Sequence, residues 1–142
     1  MAANTTPIFP LTPINWHAKL TNSVTPRDIS TQVPVLLGTA GKNGALIHTV
    51  FAAHLGNNVG SVARIYCKGE SDTGYSLLME LTLPAITAAS ETTGLDPVKF
   101  VLPDILPNGN KGLHLAPGAS LYLGLGTAIA SGIHIWALGG NY

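Results

Sequence analysis

Five histidines stand out in a chain that carries few charges: His17, His48, His54, His114 and His134. Imidazole is the commonest metal-binding side chain, but a zinc site needs three or four ligands converging on one point. No His-x-His or His-x-x-x-His pair occurs. His48 and His54 share a parity along one strand candidate, yet lie roughly 20 Å apart on an extended chain, too far for one ion. His114 and His134 fall in separate late segments and could be neighbours in a sheet. The pattern reads as surface or interface histidines, and no metal site is assigned.

Other catalytic constellations are equally thin. Asp28, Glu70, Asp72, Glu80, Glu91, Asp96 and Asp104 are scattered, mostly in loop candidates, and nothing sets two of them across a cleft as glycoside hydrolysis needs. The sharp Gly-x-Ser-x-Gly turn that exposes a nucleophilic serine is absent. Cys67 lies in the apolar run Ala63–Cys67 and reads as a small core residue rather than a nucleophile. As the chain's one cysteine it cannot form an internal disulfide, which fits a reducing compartment. Gly38-Thr39-Ala40-Gly41-Lys42-Asn43 looks like a phosphate loop, but its first gap is too short and Asn43 stands where the hydroxyl residue belongs. It reads as a hairpin turn. Gly124-Leu125-Gly126-Thr127-Ala128-Ile129 opens like a dinucleotide fingerprint but lacks the final glycine and the surrounding βαβ unit. These residues point to no enzyme and no cofactor.

The elements that would position any site are short and extended. Strand candidates run over 14–20, 32–39, 45–55, 61–68, 75–83, 98–102, 112–115, 119–125 and 133–138. Glycine and proline turns separate them, as at 41–44, 56–60, 107–110 and 117–118. In 45–55 the odd positions Ile47, Thr49, Phe51, Ala53 and Leu55 are the more apolar and are expected to face inward. Leu121, Leu123 and Leu125 alternate with Ser120, Tyr122 and Gly124, and Ile133, Ile135 and Ala137 alternate with His134, Trp136 and Leu138. Residues 84–94 fit either a short helix or a loop. About eight strands at even spacing predict an all-β fold, a single β-sandwich of jelly-roll type.

Length and composition bound the rest. A chain of 142 residues and 14.7 kDa suits one domain with a real core. Only 10% of its residues are charged, against about 25% in ordinary soluble domains. Net charge is zero, a condition that favours association. No basic patch exists to neutralise phosphates, so nucleic acid is not expected as a partner. No charged-then-apolar leader is read at the start, and no apolar run is long enough to span a membrane.

The first thirteen residues differ from the body. Pro7, Pro10 and Pro13 recur at every third position, which excludes a helix or a central strand and matches polyproline II. Such an arm reaches roughly 40 Å at about 3.1 Å per residue. It carries Ile8, Phe9 and Leu11, large apolar groups that a free tail rarely has. The expected organisation is an extended N-terminal arm over 1–13 and a β-sandwich over 14–142. The arm lies either on its own body or on a neighbour.

The opening Met1-Ala2-Ala3-Asn4-Thr5-Thr6-Pro7-Ile8-Phe9, the Thr/Ala/Gly-rich body and the close Ala137-Leu138-Gly139-Gly140-Asn141-Tyr142 resemble small virion proteins of tailed bacteriophages. More narrowly, the chain is similar to capsid decoration, or cement, proteins. The resemblance implies a β-sandwich knob, often a homotrimer, that sits on the capsid surface and locks the major capsid protein lattice. It also implies a chain made in the host cytoplasm, and it carries over no catalytic residue. On that reading Ile8, Phe9, Pro10, Leu11 and Trp16 form the partner interface, because large apolar and aromatic groups carry most interface energy. Two other functions fit the same features: a tail or baseplate component, or a carbohydrate-binding β-sandwich using Trp16, Trp136, Tyr66, Tyr75, Tyr122 and Tyr142. Aromatics are 6% of the chain, and the sequence displays no cluster of them.

Overall fold

The computed structural model describes residues 10–142, apart from Pro26, Ser30, Thr31, Pro107 and Asn108. Among these residues the chain forms ten strands and no helix: Thr12–Leu20 (β1), Val35–Thr39 (β2), Ala45–His54 (β3), Ser61–Lys68 (β4), Ser76–Leu83 (β5), Val98–Lys99 (β6), Asp104–Ile105 (β7), Lys111–Leu115 (β8), Ser120–Leu125 (β9) and Ile133–Asn141 (β10). β6 and β7 have two residues each, so eight strands of five or more carry the architecture.

The strands form two antiparallel sheets. One runs β1-β10-β3-β8-β7, with β6 also paired to β3; the other runs β2-β9-β4-β5. The chain changes sheet between β1 and β2, β2 and β3, β3 and β4, β5 and β6, β8 and β9, and β9 and β10. The turn at 41–44 is therefore a link between sheets and not a hairpin. It is closed by Gly44 N–H donating to the Gly41 carbonyl at 3.0 Å.

Alternation places the core. β1 turns Ile14 and Leu20 inward with Trp16 and Ala18 beside them, and leaves Asn15, His17 and Lys19 exposed. β9 buries Leu121, Leu123 and Leu125, and β10 buries Ile133, Ile135 and Ala137, as the sequence pattern requires. These side chains join Ile47, Val50 and Ile65 in one cluster between the sheets.

β3 departs from the expected parity. It buries Ala45 and Ile47, then Val50, Ala52 and His54. The register against β10 explains the switch: Thr49 pairs with Leu138 and Ile47 with Gly139, leaving His48 as an extra residue. A one-residue bulge reverses which parity faces inward. Thr49, Phe51 and Ala53 therefore lie on the outer face, contrary to the odd-face expectation.

Other boundaries shift as well. β1 begins at Thr12, so Pro13 belongs to an edge strand and not to the arm. The segment 98–102 pairs as a strand only at its start, although Phe100 N–H still reaches the Val50 carbonyl at 2.9 Å. Residues 84–94 form a loop, tied to Asn58 by two backbone bonds from Ile86.

Every sheet edge is blunted. β1 carries Pro13, β2 follows Pro34 and bulges at Leu37, β5 bulges at Leu78, and β7 has two residues. Such devices stop edge-to-edge pairing, and a chain with little charge has few others available.

A second cluster lies on the outer face of the four-stranded sheet. The chain between β1 and β2 folds across β4, where Val24 and Ile29 cover Tyr66. Ile29 takes a φ of 48°, a left-handed value rare for a β-branched residue. Burial of its side chain offsets that strain.

The two sheets are clamped at one edge by Trp16 of β1, whose indole lies directly on Gly38 of β2. A side chain at position 38 would occupy the ring's place. Gly38→Val is expected to lower stability by about 1–3 kcal/mol through overpacking, read as a lower midpoint in urea. An unchanged midpoint would show that the clamp contributes nothing.

Candidate partner interface

Of the five residues read as partner contacts, Ile8 and Phe9 lie outside the described residues. Pro10 is exposed and rests against Gly140 at the end of β10. Leu11 is 82% exposed, while its N–H donates to the Asn141 carbonyl at 2.7 Å. The backbone is held to the sheet and the side chain is left outside. Trp16 is placed differently. It is half-buried, and its ring is engaged with Gly38 of the same chain. Leu11 and this tryptophan thus differ: the first side chain is free, the second is engaged within the fold.

The outer face of the six-stranded sheet carries an aromatic row that the sequence reading did not find. His17, Trp136 and Phe51 come from β1, β10 and β3 at paired register positions. The His17 and Trp136 rings stack with centroids 4.4 Å apart and 26° between planes; Trp136 and Phe51 are 6.5 Å apart at 10°. Shared outward parity was the available signal, but strand order was needed to align it, and the bulge at His48 is what turns Phe51 outward. The rings face one another, so the Trp136 faces that would stack on a sugar are turned toward its neighbours.

A groove of about 750 Å³ opens on the same sheet. β8 pairs with β3 over Ala45–Ile47, and β6 pairs with it at Phe51 and Ala52. Between those pairings the edge of β3 at His48 and Thr49 has no strand partner among the described residues. The groove forms there, with Pro10 at its border and Lys99 and Lys111 on its sides.

Ion pairs among the described residues form two clusters. Glu80 accepts from Arg27 Nε at 2.7 Å and from Arg64 Nε at 2.9 Å. These bonds hold its carboxyl below the usual range. The Arg64 side chain is only 8% exposed, and it also donates to the Val24 carbonyl at 3.3 Å. This cluster fastens the covering segment to β4 and β5. Asp104 accepts from the His114 backbone N–H at 2.8 Å and contacts its ring at 3.2 Å, which lowers the aspartate pKa. His114 and His134 are not neighbours, since β3 lies between β8 and β10.

Among the described residues no three His, Cys, Asp or Glu side chains gather as a metal site. Burial, aided by the charge of Asp72, raises the Cys67 thiol above its normal range. A protonated thiol is a poor nucleophile. No helix long and apolar enough to cross a membrane occurs among the described residues. Compared with protein-family models, curated proteins and solved structures, the chain matches none.

Two outcomes follow from the charged groups. Glu80→Ala leaves the buried Arg64 guanidinium without its carboxylate and should cost about 2–3 kcal/mol; a denaturation midpoint within error of the parent would show that Arg64 finds water instead. His54 is buried with Nε2 unpartnered, and burial lowers its pKa from 6.5. Below pH 6.5 the unfolded chain takes up a proton there that the folded chain resists, so stability falls as pH drops from 7 toward 5. The urea midpoint should show that fall, and His54→Leu should flatten it.

Proposed function

We propose that this chain is a structural subunit of a tailed-bacteriophage virion: a capsid decoration protein that binds the major capsid protein lattice and stabilises it. The observation that carries this reading is the start of the described chain. Pro10 and Leu11 leave the body as exposed apolar residues, while the backbone of Leu11 is fixed to β10. The backbone at Leu11 is thus fixed while its side chain stays free to contact a neighbour. Extended arms suit a cement role, because they add contacts to several neighbours without a large body.

The strand order supports the finer fold reading. β1-β10-β3-β8 facing β2-β9-β4-β5 fits the strand order of a jelly roll, a double-sheet architecture used by capsid and lectin domains. On this reading residues 1–11 act as the arm and the body begins at β1. The low charge and zero net charge support association into a homotrimer on the capsid surface. We read the chain as non-enzymatic, working without cofactor, nucleic acid or membrane. The glycan-binding alternative is less well supported, because the aromatic row presents ring edges where sugar stacking needs ring faces.

Truncation provides the test. Removing Met1–Phe9 stops short of β1, so the body should fold with an unchanged melting temperature. Cosedimentation with shells lacking decoration should weaken about a hundredfold or more as the arm's contacts are lost. Unimpaired binding by the truncated chain would overturn the arm's role. Light scattering on the full chain should give three times the 14.7 kDa subunit mass.

A further inference from the structure

The groove beside His48 holds an uneven share of the chain's few charges. Lys99 and Lys111 line it together with His48, all three exposed, and Lys99 pairs with Phe51 of the aromatic row. None of the chain's seven carboxylates lines it. Neither lysine makes an ion pair with a described residue. The acid on neighbouring β7, Asp104, is already committed to His114. In a molecule of zero net charge this is a local positive field without an internal counter-charge.

Beneath the charges the groove is apolar. Val50, Phe100 and Leu102 are buried at its base, and Val101 is 79% exposed at its rim. The β3 edge at His48 and Thr49 pairs with no described strand between β8 and β6. Extended chains bind such sites through main-chain bonds to a free edge and alternate side chains in pockets. Basic flanks then select acidic neighbours.

We propose that this groove docks an extended acidic segment of the shell protein, with one apolar side chain seated on Phe100 and Val101 and carboxylates facing Lys99 and Lys111. The partner's identity rests on the capsid-binding reading above; the groove's preference for an acidic, apolar-centred strand does not. The chain's own Met1–Phe9 is the competing occupant, since Pro10 borders the groove. That segment contains no acid and would leave both lysines unmatched.

The test uses two blocked pentapeptides, each with a central phenylalanine, one flanked by acidic residues and one by lysines. Amide shifts of the full chain are followed during titration. The acidic peptide should shift residues 46–50 and 99–102 saturably, and the basic one should not. The double variant Lys99→Glu, Lys111→Glu should bind the acidic peptide at least about tenfold more weakly. Val101→Ser, which keeps both charges, should also weaken it. Equal responses to the two peptides, or none in the groove, would overturn the proposal. So would an acidic response that appears only after removal of Met1–Phe9, which assigns the groove to the chain's own segment. Shell cosedimentation separates this inference from the reading it builds on. If the parent chain binds shells and the double variant binds them equally well, the docking groove falls and the structural role stands. If the parent chain does not bind shells, the structural role falls, and with it the shell protein as the partner.

Discussion

Aliphatic side chains from both sheets meet in a single layer: Ile47, Val50, Ile133 and Ile135 from one, Ile65, Leu121, Leu123 and Leu125 from the other, none more than 1% exposed. Burying each contributes about 1.5–3 kcal/mol. Two or three of them therefore match the net stability of an ordinary domain, about 5–15 kcal/mol. The layer exists only if the strands hold a register in which these residues share a face. The edges, the covering segment and the groove all depend on that register.

Low charge sets the second constraint. Soluble sandwiches commonly keep their edges apart with charged side chains. With few charges to place on its edges, this chain also uses proline, bulges and short strands there. One group, Arg27, Arg64 and Glu80, ties the 21–29 segment over Tyr66. Another, Lys99 and Lys111, makes no ion pair with a described residue and borders the groove. The first spends its charge inside the fold, and the second leaves it for the exterior.

The bulge at His48 links fold to surface. One extra residue turns Val50 and Ala52 inward and Phe51 outward. The outward Phe51 completes the row with Trp136 and His17. Near the same irregularity, the β3 edge lies open between β6 and β8, where the groove forms. A bulge is thus both a break in a ladder and the means by which this face acquires shape.

Composition and alternation by themselves determined the all-β class, most strand positions, and the division of faces in β9 and β10. Those strands read correctly because their period of two is unbroken. The sequence could not place the face reversal in β3, because a bulge is a property of two paired strands and not of one. Nor could it find the aromatic row or the gathering of Lys99 with Lys111. Trp136 and Phe51 are 85 residues apart, and only pairing of β10 with β3 makes them neighbours. Tertiary structure likewise decided that Trp16, which the sequence offers as an anchor, has its ring on Gly38. Local pattern fixes which way a residue points along its own strand; what it meets there is decided by strands from elsewhere in the chain.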